Sequence, residues 1–216
     1  MKDWTFKDFA DDFDSHVREQ LPWYDLVTES IQFIVKSYLP YRGHVYDIGC
    51  STGNITESLL DLLVARQASL CGIDNEQSMM EAYSRFLTHQ NVTAHHGDAT
   101  NYNYANFDVA IVFLTAMFIP AQVQQHFFTK LYSKLNQGGA IIVVDKTTDT
   151  QGYFSTVMKR LTWHWKLENG VLSNDIMEKE LSLAGVQRPI TPELMSMYDG
   201  KQFFQMGEFK GWVIEK

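Results

Sequence analysis

From residue 44 onward the chain alternates between two hydrophobic patterns. Short, mostly apolar runs fall at 44–49, 68–74, 92–97, 107–114 and 140–145. Between them, apolar residues recur every three or four positions at 54–66, 77–89 and 121–136. The first pattern predicts buried strands and the second predicts amphipathic helices packed against a sheet. Strands that alternate with helices imply parallel pairing through right-handed crossovers. The run 107–114, Phe-Asp-Val-Ala-Ile-Val-Phe-Leu, has the character of a central strand covered on both faces. Upstream, Phe6, Phe9 and Phe13 sit about one helical turn apart, and Pro22 interrupts. Val27, Ile31, Ile34 and Val35 then mark a helix ending near Pro40. Downstream, a helical stretch at 152–167 carries Tyr153, Phe154, Trp163, His164 and Trp165, and another at 173–184 ends at Gly185. Residues 185–200, with Pro189 and Pro192, predict irregular chain. The stretches 202–209 and 211–215 predict two closing strands.

The expected fold is therefore α/β: a doubly wound, Rossmann-like, mostly parallel seven-stranded sheet with helices on both faces. An antiparallel strand stands at its C-terminal end, and residues 1–42 form a helical cap. The 216 residues, 45% of them hydrophobic, suffice for one domain with a sizeable core. The formal net charge of −8 argues against a broad nucleic-acid or anionic-membrane footprint. No apolar run reaches the roughly 18 residues needed to span a bilayer. The opening residues lack a signal-peptide core. The two cysteines, Cys50 and Cys71, make neither a disulfide framework nor a structural zinc site. The expectation is a protein of the reducing cytoplasm. Its hydrophobic C-terminal third could support a homodimer.

The candidate chemistry lies at three strand ends. After the first strand comes Gly49-Cys50-Ser51-Thr52-Gly53, with Ser51 or Thr52 placed to cap the next helix. A dinucleotide fingerprint needs a middle glycine that this loop lacks, and a P-loop needs a lysine that is also missing. Asp74 ends the second strand, 21 residues after Gly53, where an acidic side chain can accept from ribose hydroxyls. The alternative is a helix-capping role. Asp98, within Gly97-Asp98-Ala99, ends the third strand. It can accept from an exocyclic adenine amine or act as an ordinary turn aspartate.

Together, Asp47-Ile48-Gly49-Cys50-Ser51-Thr52-Gly53, Ile73-Asp74, Gly97-Asp98-Ala99 and the helix-turn-strand over 131–144 resemble the class I S-adenosylmethionine-dependent methyltransferases. The resemblance covers about residues 44–146. It implies one S-adenosylmethionine-dependent methyltransferase domain over 1–216, with 152–200 as a helical and loop insertion before the last strands. It implies S-adenosyl-L-methionine as cofactor and S-adenosyl-L-homocysteine as product. Gly49 and Gly53 would line the methionine moiety, with Cys50 and Ser51 beside them. Asp47 would orient its amino group, Asp74 with Asn75 would hold the ribose, and Asp98 with Ala99 the adenine. A phosphate-free, positively charged cofactor also suits a site with several carboxylates.

A nearer resemblance is to the bacterial carboxy-S-adenosylmethionine synthases. It rests on Leu21-Pro22-Trp23-Tyr24, Val45–Ser51, Gly72-Ile73-Asp74-Asn75, Asp145-Lys146 and the ending Phe204-Gln205 to Phe209. It implies a cofactor contact for Tyr24. It also implies that Arg188 falls near the arginine that this family keeps for the carboxylate of its product. Where that family has an asparagine, strand four here carries Phe113. Carboxyl transfer to the cofactor, in the tRNA wobble-uridine pathway, is therefore the second reading after methyl transfer to a small or planar acceptor. A non-catalytic, cofactor-binding partner protein is the third.

No catalytic residue is assigned from the sequence; Tyr24, His164 and Arg188 are the candidates. His164, between Trp163 and Trp165, could serve as a general base or lie on a helix surface. His95 and His96 point to opposite faces of a strand, so no metal site is expected there. After strand four, Thr115-Ala116-Met117-Phe118 replaces the proline-rich run that holds the target amine in amino-group methylases of nucleic acid. With the charge, this argues against direct DNA methylation. The expected partner is a small-molecule acceptor rather than a membrane.

Overall fold

The computed structural model describes residues 13–148 and 152–216. The expected turn-spaced Phe6 and Phe9 lie outside the described residues.

Two helices come first: α1 (Phe13–Gln20) and, after the break at Pro22, α2 (Tyr24–Tyr38). The crossovers follow as β1 (His44–Ile48), α3 (Asn54–Arg66), β2 (Ser69–Asp74), α4 (Gln77–Tyr83), β3 (Val92–His96), β4 (Phe107–Phe113), α5 (Ala121–Lys134) and β5 (Leu135–Lys146). The chain then runs through α6 (Gly152–Glu168), α7 (Ser173–Ser182), α8 (Pro192–Ser196), β6 (Lys201–Met206) and β7 (Phe209–Glu215). The seven strands form one sheet in the order β3-β2-β1-β4-β5-β7-β6. The first five pair in parallel and β7 is antiparallel to both neighbours. The expected mostly parallel seven-stranded sheet, with helices on both faces and an antiparallel strand at its C-terminal end, is the one observed.

Alternation along each strand sends side chains to two cores. Val109, Ile111 and Phe113 of β4 join Ile31 and Val35 of α2 and Leu59 and Leu63 of α3 on one face. Ala110 and Val112 join Phe127, Phe128 and Leu131 of α5 on the other. Strand order reverses at β1, which lies between β2 and β4. A crevice opens beyond the carboxyl ends of the strands at such a switch point.

Three elements differ from the sequence pattern. The helix expected over 77–89 ends at Tyr83 and tightens into a 3-10 turn at Ser84–Thr88. The turn expected at 136–139 is absorbed into β5, which starts at Leu135; the strand register shifts between Phe107 and Val109. There Gly139 passes so close to the Asp108 carbonyl that a Cβ would collide with it. Within the expected irregular segment, Thr191 Oγ1 accepts from Leu194 N and caps the one-turn helix α8.

Candidate active site

Four strand ends converge on one pocket of about 520 Å3. β1 hands the chain to α3 through the Gly49–Gly53 loop, in which Gly49 (φ 71), Ser51 (φ 49) and Gly53 (φ 97) are all left-handed. A Cβ at Gly49 would overlap the Thr115 side chain, and one at Gly53 the Phe86 ring. Gly53 is the N-cap of α3, and no side chain caps it. Ser51 and Thr52, expected as caps, bond elsewhere because the left-handed loop turns them away from the helix end. Thr52 Oγ1 and Asn54 Nδ2 both donate to Asp14 Oδ1, at 2.7 and 2.9 Å, and tie α1 to the loop.

Three carboxylates border the pocket. Asp47 is fully buried and accepts from Thr56 Oγ1 at 2.8 Å. Burial pushes its pKa up to about 7; the Thr56 bond opposes this and the nearby Asp74 charge adds to it. Asp74 Oδ2 accepts from Ser51 N and its Oδ1 from Glu76 N, both at 2.9 Å. Burial raises its pKa, while those N–H bonds pull it back. Asp74 thus braces the loop instead of capping α4, whose N-cap is Glu76. Asp98 Oδ1 accepts from Thr100 N at 2.8 Å and its Oδ2 from Asn101 Nδ2 at 3.1 Å. Among the described residues, no lysine, arginine or histidine lines this pocket.

The opposite wall is aromatic. Tyr24, the first residue of α2, stacks on Phe113 with ring centroids 5.1 Å apart. Its hydroxyl accepts from Asn54 Nδ2 at 3.2 Å. Burial pushes its pKa up to about 12, so it remains a neutral phenol. The neighbouring Trp23 packs on both Phe204 and Phe209 at 5.0 Å. The chain after β4 is held by Asp145, whose Oδ2 accepts from Thr115 N at 3.1 Å and Met117 N at 3.2 Å. Burial also pushes Asp145 up to about 7, against its backbone hydrogen bonds. Burial raises the Cys50 thiol well above its ordinary range, so it is no thiolate nucleophile near neutrality.

Of the residues singled out from sequence, Tyr24, Asp47, Gly49, Cys50, Ser51, Asp74, Asn75, Asp98, Ala99 and Phe113 line the pocket. Gly53 shapes its loop without lining it. His164 lies exposed on α6. Arg188 lies outside the lining: its backbone N–H donates to Met117 O, and Nη1 donates to Val186 O at 3.5 Å. His95 packs on Tyr102, while His96 Nε2 contacts Asn75 O at 3.1 Å. The pocket also takes Asn54, Met79, Asn101, Thr115 and Phe118. Of these, only Thr115 and Phe118 stood in a stretch with a chemical signal, the run after strand four.

A family profile described as a methyltransferase domain matches residues 45–139. The carboxy-S-adenosyl-L-methionine synthase of Staphylococcus epidermidis is 30% identical over 190 residues, covering 87% of this chain and 83% of that protein. The synthase of the same name from Shewanella piezotolerans is 26% identical over 204 residues, covering 93% and 83%. Among solved structures, the DhpI–SAM–HEP complex superposes with a TM-score of 0.63 at 17% identity, covering 96% of this chain and 92% of that one. At that identity the structural likeness speaks to the fold.

Proposed function

The chain belongs to the class I S-adenosylmethionine-dependent methyltransferase superfamily, and from that premise we propose that it transfers a methyl group from S-adenosyl-L-methionine to a small acceptor. The observation that carries this reading is the charge of the pocket: Asp47, Asp74 and Asp98 line it, and no cation does among the described residues. That set fits a phosphate-free cofactor with a positive sulfonium and ammonium. It suits a cofactor bearing an added carboxylate less well, because no cation among the described residues lines the pocket to balance that group.

The residues fit in detail. Bare backbone at Gly49 leaves room for close approach, with Cys50 and Ser51 beside it. Asp47 would hold the amino group, Asp74 with Asn75 the ribose hydroxyls, and Asp98 with Ala99 the adenine. When bound, S-adenosyl-L-methionine supplies a methyl group already activated on sulfur. The protein's task is then alignment and exclusion of water more than covalent chemistry. The Tyr24–Phe113 stack forms the wall against which an acceptor would be aligned. Tyr24, neutral to about pH 12, can donate a hydrogen bond but is a poor base. Among the described residues no histidine lines the pocket, so an acceptor that arrives as its own nucleophile suits it best.

Isothermal titration with S-adenosyl-L-methionine and S-adenosyl-L-homocysteine tests the reading. Both should bind, and Asp74→Asn should weaken both by about tenfold or more, since hydrogen bonds to a charged group contribute roughly 1.5–3 kcal/mol. If neither binds the wild-type chain, the proposal fails.

One observation favours a second reading, carboxyl transfer to the cofactor. The relative at 30% identity that carries that name aligns along 87% of this chain. Mass spectrometry of the cofactor that co-purifies separates the two. A carboxylated species would replace methyl transfer as the conclusion. An unmodified cofactor, with no product from prephenate, would remove carboxyl transfer.

A further inference from the structure

One amide beside the cofactor loop has both of its hydrogens spent. Asn54, the first residue of α3, donates from Nδ2 to Asp14 Oδ1 at 2.9 Å and to Tyr24 Oη at 3.2 Å. A carboxylate oxygen accepts and does not donate, so the group facing Asp14 is the amide nitrogen and not the amide oxygen. That same nitrogen faces Tyr24. Its two hydrogens meet two acceptors, and the Tyr24 hydroxyl is therefore the acceptor in this contact. Thr52 Oγ1 donates to the same Asp14 oxygen at 2.7 Å and fixes the carboxylate in turn.

The Tyr24 hydroxyl keeps its own hydrogen. Its residue is buried, with the ring stacked on Phe113 and the Arg18 guanidinium 5.5 Å from the ring centroid. Among the described residues, Tyr24 Oη accepts from Asn54 and donates to none. A buried phenol ordinarily gives its hydrogen to a partner. Tyr24 and Asn54 both line the cofactor pocket, so that hydrogen is available to what the pocket holds. Burial raises the Tyr24 pKa and the Asn54 bond opposes it, the sign expected of an N–H that donates to the phenol oxygen.

We propose that Asn54, held by Asp14, is a positioning residue that occupies the accepting side of the Tyr24 hydroxyl and commits it to donate to an oxygen of the bound ligand. A phenolic hydrogen lies near the ring plane, on one side of the C–O bond or the other. The Asn54 N–H takes one side and leaves the hydrogen the other. Asp14 then does more than tie α1 to the loop, because it decides which way the Asn54 amide points. The oxygen belongs to the carboxylate of the cofactor's methionine moiety or to a carbonyl of the acceptor; the chemistry recognised is the same. This role rests on the cofactor reading of the pocket.

The test exchanges the two ends of the contact. In the double variant Asp14→Asn with Asn54→Asp, the new amide can donate to the new carboxylate, so α1 stays tied to the loop. The Tyr24 hydroxyl now meets a carboxylate and turns its hydrogen away from the pocket. Asn54→Asp alone sets two carboxylates against each other and should lower Tm, and the exchange should recover it. Calorimetry reads the affinity for S-adenosyl-L-methionine and for its decarboxylated form; NMR titration reads benzamide added to the S-adenosyl-L-homocysteine complex. The exchange variant should match Tyr24→Phe on every ligand. If the oxygen is the cofactor's carboxylate, both variants weaken S-adenosyl-L-methionine by about tenfold and leave the decarboxylated form unchanged. If it is the acceptor's carbonyl, both weaken benzamide by about threefold and leave both cofactor forms unchanged. The proposal is overturned if Tyr24→Phe binds all three ligands like wild type, or if it weakens both cofactor forms equally. It is also overturned if the exchange variant binds like wild type where Tyr24→Phe does not, or if the exchange fails to recover Tm. Failure of the wild-type chain to bind S-adenosyl-L-methionine would instead sink the cofactor reading itself, and this role with it.

Discussion

At Gly49 a single backbone angle decides whether the loop can exist. Its φ of 71 is left-handed, and the space where a Cβ would stand is filled by Thr115. Thr115 cannot step aside freely, since its Oγ1 donates to both Ile48 O and Phe113 O. Gly49→Ala should therefore cost about 2 kcal/mol or more from conformational strain and overlap. In a chain of this size that should lower Tm by about 4 °C or more, measured by differential scanning calorimetry. An unchanged Tm would show that the loop can relax. Residues of this kind were legible in the sequence because their cause is local: a strand end, a missing side chain, an aspartate one strand over. The burial of Lys166 in α6 was not. Its neighbours come from positions 146, 179, 180 and 208, and nothing in the run Trp163-His164-Trp165-Lys166 distinguishes a buried lysine from one at the helix surface. His164 drew attention for its aromatic flanks, yet the helix phase turns it to solvent and its neighbour Lys166 inward.

At the level of elements, the start of α2 organises the aromatic wall. Pro22 ends one helix and the next begins at Tyr24, so Trp23 and Tyr24 enter the core from a fixed corner. Trp23 anchors that corner on Phe204 and Phe209, while Tyr24 reaches Phe113 and Asn54. The break was readable from the proline, but the destination of the two rings was not, because β6 and β7 lie about 180 residues further along the chain. Two variants separate packing from polarity. Tyr24→Phe keeps the stack and loses one hydrogen bond, so its stability should fall by no more than about 1.5 kcal/mol. Tyr24→Ala empties a buried aromatic site and should cost about 3–5 kcal/mol. If both rings line the acceptor wall, Tyr24→Phe should change methyl transfer more than cofactor affinity. Equal losses in both would place the hydroxyl with the cofactor instead. The strands and crossover helices were legible because their periods of two and 3.6 are written locally. The extended β5 and the one-turn α8 were not: one follows from tight passage beside Asp108, the other from a single threonine cap.

For the whole molecule, stability, pH and cofactor binding are linked through two buried carboxyls. Asp47 and Asp145 are both raised by burial to about 7, well above an unfolded value near 3.8. In each case the folded state holds a proton that the unfolded state gives up. Their contribution is therefore fully present below about pH 4 and is lost as pH rises towards 7. The free protein should lose stability across that window on their account, and Asp145→Asn should flatten the decline. The two differ once the cofactor arrives. Asp47 borders the pocket, where a positive ligand favours its ionised form and lowers its pKa. Asp145 is outside the lining and, among the described residues, accepts from the backbone N–H groups of Thr115, Ala116, Met117 and Lys146. Cofactor binding should thus tighten as pH rises through about 7, by up to roughly tenfold per unit while Asp47 is protonated. Since ligand stabilisation grows as RT ln(1 + [L]/Kd), the rise in Tm caused by S-adenosyl-L-methionine should be larger at pH 8 than at pH 6. Asp47→Asn should remove that difference, and Asp145→Asn should leave it in place. Thermal scans at both pH values, with and without cofactor, read all four quantities. A cofactor-induced shift independent of pH in the wild-type chain would mean that Asp47 is already ionised or does not face the cofactor's charge, and the assignment of the amino group to Asp47 would fall with it.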